Sequence, residues 1–155
     1  MGLFSGLFGK RDKNSELVAR VPELIGPFID CAMMAVDLVE KRTGHSLPDF
    51  SKLTILVFAF GGLDELCQAL KLDEKDSLRI FKQLLMTKFR APSEVEAQRL
   101  LEMVVRVSAM KEGQRALTTG GQSHADWRIG HTTAPLRLGA LLEEDCRVAA
   151  LMNKG

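Results

Sequence analysis

The sequence predicts an all-α protein, a compact irregular bundle of about six helices with a short extra helix near residues 123–129. Three observations carry that expectation. Apolar residues recur at i, i+3, i+4 and i+7 in most segments, the spacing of one helix face. Capping residues and Gly or Pro punctuation fall at the segment ends. Only two runs are strand-like, LTILVFAF and VVRV; the second sits inside a helical pattern, and a lone strand leaves its backbone groups without partners.

Residues 1–14 read as a flexible N-terminal tail and 15–155 as a single helical domain. In the tail, Gly2-Leu3-Phe4 repeats as Gly6-Leu7-Phe8. On a helix that offset stacks Leu3 on Leu7 and Phe4 on Phe8, with Lys10, Arg11 and Lys13 directly after. An apolar face beside basic residues suits membrane or partner docking, although the glycines weaken the helix. The tail lacks the charge order of a secretory signal, and Gly6 stands where a myristoylation pattern wants Ser or Thr.

Ser15 can cap a short turn that Pro22 and Pro27 then interrupt. A helix beginning at Pro27 and stopping at Gly44 carries Phe28, Ile29, Ala32, Met33, Ala35, Val36 and Val39, a surface broad enough for contact on several sides. Residues 49–60 form the next helix, with Gly61-Gly62 as a kink or tight junction before Leu63, Leu66, Cys67 and Leu70. Asp73 caps a helix whose buried face is Leu78, Phe81, Leu85 and Phe89. Ser93 and Glu96 make a capping box for a helix running to about Gly113. The stretch TTGGQSHADWRIGHTTAP then resolves into two connectors around a short helix, capped by Ser123 and ended by Gly130. Pro135 opens the last helix, with Leu138, Leu141, Leu142, Cys146 and Ala149 on its face.

Composition limits the function classes. Hydrophobic residues at 46% and charged residues at 26% describe a folded chain, and 155 residues can bury a core. The apolar runs all fall well short of the roughly 20 residues of a membrane span. With 21 Lys and Arg against 20 Asp and Glu, the chain lacks the positive excess that phosphate neutralisation demands, so no nucleic-acid partner is expected. Cys31, Cys67 and Cys146 lie far apart among apolar residues, as free thiols do in a reducing cytoplasm of the bacterial type.

No catalytic constellation emerges. A Gly-x-Ser-x-Gly elbow is missing, and no cysteine sits beside a histidine in sequence that could lower its pKa. His124 and His131 lie two turns apart on a helix, ~10.5 Å, too far to share one metal ion, so neither a metal nor a cofactor is expected. TTGGQS lacks the Lys-Ser/Thr ending and preceding strand of a phosphate loop. A ligand pocket, if present, falls near Arg115, His124, Trp127, Arg128 and His131. A partner surface is suggested by Lys75, Arg79, Lys82 and Arg90, which align within a narrow arc of one helix.

The sequence thus favours a non-enzymatic helical protein acting on a protein partner or as a homo-oligomer. The alternatives are a small-molecule-binding or enzymatic bundle with its pocket near residues 115–131, and a peripheral adaptor that meets membranes only through Leu3, Phe4, Leu7 and Phe8.

Overall fold

The computed structural model describes residues 2–153, with side chains from Asn14 onward. The side chains of Leu3, Phe4, Leu7 and Phe8, and the rest of the expected tail before Asn14, lie outside those described. Six α-helices follow in order: α1 (Gly2–Thr43), α2 (Ser51–Ala69), α3 (Glu74–Thr87), α4 (Glu94–Ala109), α5 (Lys111–Arg128) and α6 (Leu138–Asn153). A 3₁₀ turn, Ala134–Arg137, precedes α6. The described residues contain no strand, and LTILVFAF belongs to α2.

α1 runs unbroken through Pro22 and Pro27, so Ser15 caps nothing and no helix begins at Pro27. An internal proline costs about 3 kcal/mol. Around these two, however, Val21, Ile25, Phe28 and Ile29 are buried, and each such side chain contributes roughly 1.5–3 kcal/mol. Burial on both sides of each proline outweighs the lost hydrogen bonds. Gly44, with φ +74°, ends the helix where the sequence placed the stop.

Gly61-Gly62 is likewise neither kink nor junction, because α2 continues through it to Ala69. The glycines serve packing. A Cβ on Gly61 would collide with the Leu117 carbonyl of α5, and one on Gly120 with the Phe58 carbonyl of α2. The two helices therefore cross backbone to backbone. Gly62 accommodates the Phe28 ring, which a Cβ would meet at 2.7 Å. Phe28 in turn stacks on Phe58, centroids 5.8 Å apart. α2 is the central element, with Leu56, Val57, Phe58, Leu63 and Leu66 buried among the other helices.

Two further expectations change. α4 ends at Ala109, short of Gly113, because Met110 is extended (φ −85°, ψ 154°) and serves as the N-cap of α5. Gly113 then packs against the Val107 carbonyl with no room for a Cβ. α5 passes through TTGGQS without a break, so the short helix expected near 123–129 is the last part of α5. Ser123 does not cap it; its hydroxyl is buried without a hydrogen-bond partner among the described residues. Gly130, at φ +105°, closes the segment as expected.

Asp73 and Ser93 act as the expected caps, accepting from the Asp76 and Glu96 amides at 2.9 and 3.1 Å. The box at Ser93 is open on one side, because the Glu96 carboxylate turns to Arg99. That guanidinium holds the Glu96 carboxyl below its ordinary range.

Candidate functional site

Of the five residues of the expected pocket, His124, Trp127 and Arg128 lie together at the α2–α5 crossing, whereas Arg115 and His131 lie apart from them. His124 is buried at 2% exposure, and its Nδ1–H donates to Glu65 of α2 at 2.5 Å. Arg128, one turn on, donates its Nε–H to the same carboxylate at 3.1 Å. Trp127 packs edge-on to Phe28, centroids 6.3 Å apart, against the hydrophobic core. His131 is exposed, and its backbone amide bonds the Asp126 carbonyl. Arg115 lies at the other end of α5, paired with Glu144 of α6. One α-helix separates what the sequence suggested as one site.

Glu65, His124 and Arg128 form a polar knot inside the α2–α5 crossing. Burial disfavours the imidazolium and draws the His124 pKa down, with the Glu65 carboxylate opposing. At Glu65 burial pushes upward, but bonds from Arg128 and His124 win and hold the carboxyl below its ordinary range. The His124 and Phe28 rings meet edge to face, centroids 5.0 Å apart, so apolar packing closes the inner side of the knot while Arg128 reaches solvent. Among the described residues no group of three or more His, Cys, Asp and Glu side chains is placed to hold a metal ion.

The basic row is also interrupted. Lys75 and Arg79 are exposed on α3. Lys82 pairs with Glu94 of α4 at 3.1 Å, an acid the sequence distance had hidden. Arg90 lies beyond the end of α3, in the left-handed region at φ +56°, and so leaves the arc.

The structure assembles a different site that sequence reasoning missed. A cleft of about 480 Å³ opens between α2, the α4–α5 junction and α6. Phe50, Leu53, Thr54 and Val57 line it from α2 and its N-cap; Val107, Glu112, Arg115 and Ala116 from the junction; Leu141, Glu144, Asp145 and Val148 from α6. Its size falls within the range of roughly 300–1,000 Å³ typical of binding pockets. Asp145 fixes one wall: its carboxylate accepts from Ser51 at 2.9 Å and Thr54 at 2.7 Å, closing the first turn of α2 from across the bundle.

Large apolar residues stay exposed along this opening. Phe50 is 40% and Val148 42% exposed, and Leu151 and Met152 at the end of α6 are 70% exposed. Phe50 and Met152 also line a second cleft beside residues 43–49, so the apolar surface continues along α6. The one sequence signal for it was the breadth of the apolar segment from Leu53 to Phe60, more than one face can bury.

Among the described residues no helix is long and apolar enough to cross a membrane. No family model, curated protein or solved structure matches the chain.

Proposed function

We propose that this protein is a non-catalytic binding module of the cytoplasm that accepts an amphipathic helix of a protein partner in the cleft between α2 and α6. The exposure of Phe50 and Val148 on either side of an apolar cleft carries the reading, since contiguous exposed apolar surface marks interaction sites. The rim supplies Glu112, Glu144 and Asp145 against Arg115, so the partner helix combines apolar anchors at i, i+3 or i+4 with basic residues. A pocket near residues 115–131 is not favoured, because Trp127 packs on the core and Arg115 faces α6.

A displayed library of helical peptides tests this reading. Selection on the protein is expected to enrich basic amphipathic sequences whose binding falls at least tenfold on Val148→Asp. Failure to enrich any sequence above a blank surface, or enrichment of peptides indifferent to that substitution, contradicts it.

A further inference from the structure

We propose that the cleft is filled by the N-terminal segment of a second copy of this chain, an inference that rests on the cleft being a helix acceptor. The segment has the pattern the cleft requires. Leu3 and Phe4 repeat as Leu7 and Phe8 four residues on, two apolar rows on one side of a helix, followed at once by Lys10, Arg11 and Lys13. The acceptor offers apolar walls and, on its rim, three acids against one arginine. Apolar anchors thus meet apolar walls and lysines meet carboxylates.

The connection is between copies. α1 ends beside the cleft, where Arg42 pairs with Glu143, the neighbour of the rim residue Glu144. Phe8 precedes Arg42 by 34 residues of the same helix, ~50 Å along its axis. α1 therefore carries the segment away from its own cleft and toward that of another molecule. Two copies that exchange segments reciprocally close as a two-fold dimer. The glycines at positions 2, 6 and 9 make the segment a poor helix alone, and docking supplies the burial that such a helix needs.

Sedimentation of the 155-residue chain across roughly 1–100 µM tests the proposal, with circular dichroism melts verifying that each variant folds. The wild type is expected to associate. Phe4→Asp/Phe8→Asp and Val148→Asp are each expected to raise the half-association concentration at least tenfold. Glu112→Lys, an exposed rim change that leaves the core alone, is expected to raise it about threefold or more. Met34→Asp, on the outer face of α1, should leave it unchanged. A wild type monomeric to 100 µM overturns the proposal, as does association that survives Val148→Asp. If Val148→Asp abolishes association and the N-terminal pair does not, the proposal fails while the acceptor cleft stands. If wild type stays monomeric yet binds anionic phosphatidylserine vesicles through Phe4 and Phe8, the segment is a membrane anchor and the proposal is wrong.

Discussion

His124 of α5 and Glu65 of α2 share a buried hydrogen bond of 2.5 Å, joined from the solvent side by Arg128. The pair sits where the two helices cross, so its protonation feeds directly into the stability of that crossing. The folded-state pKa of His124 is depressed; the unfolded chain therefore takes up a proton before the folded one does. Stability is full above the ordinary histidine value of about 6.5 and declines below it by up to about 1.4 kcal/mol per pH unit. Glu65, also depressed, adds a second decline beneath the ordinary carboxyl range. Urea unfolding between about pH 8 and pH 2 should show both steps, the first below the ordinary histidine value and the second below the ordinary carboxyl value. His124→Asn, which keeps an N–H donor but no titration, should remove the first step alone; an unchanged profile would contradict the assignment.

The glycines of the same crossing have a different role. Gly120→Ala or Gly61→Ala forces backbone against backbone and is expected to cost about 3 kcal/mol or more, the upper end of overpacking losses. Gly121 is the control, since a Cβ there meets the Gly61 carbonyl at 3.4 Å and helix propensity gains about 1 kcal/mol. Gly121→Ala should fall within about 1 kcal/mol of wild type in chemical denaturation. Equal losses for all three would mean that the helices are not packed through Gly61 and Gly120.

Ser123 offers a stabilising change. Its hydroxyl is fully buried without a partner among the described residues, a state that costs roughly 1–3 kcal/mol relative to an apolar group. Ser123→Ala also improves helix propensity. A rise in thermal midpoint of a few degrees, roughly 1 kcal/mol, is expected. A fall in the midpoint would show that the hydroxyl is satisfied in solution.

Lys71 ends α2 in the left-handed conformation, φ +59°, with the Leu72 amide reaching back to the Cys67 carbonyl at 2.9 Å. That backbone costs a non-glycine residue roughly 1 kcal/mol. Lys71→Gly relieves it, and the exposed side chain gives up little. The expected gain is about 0.5–1 kcal/mol in urea; a loss would mean that the lysine side chain holds the turn.

Local features were the legible part of this chain. Asp73, Ser93, Gly44 and Gly130 act where their chemistry placed them, because caps and left-handed stops depend only on nearby backbone. What misled was glycine and proline inside helices. Pro22, Pro27, Gly61 and Gly120 read as breaks, yet their neighbours are buried deeply enough to override that local preference. That single error divided α1 and α2 and turned the last part of α5 into a separate piece. It also gathered His124, Trp127 and His131 onto a loop, whereas a continuous α5 packs His124 and Trp127 against Phe28 and leaves His131 exposed beyond its end. Beyond the broad apolar run from Leu53 to Phe60, the cleft had no signal in any one segment. Leu53, Val107 and Val148 come from three elements, and only their assembly leaves an apolar opening.

Methyl NMR of the Phe4→Asp/Phe8→Asp variant, whose cleft is left free, during titration with a basic amphipathic helix, leucines at i and i+4 and lysines elsewhere, tests the acceptor cleft most directly. The expected result is saturable shifts confined to the methyls of Leu53, Val57, Val107, Leu141 and Val148, weakened at least tenfold by Val148→Asp. Shifts centred on α3 around Lys75 and Arg79, or no saturable shift at all, would contradict it.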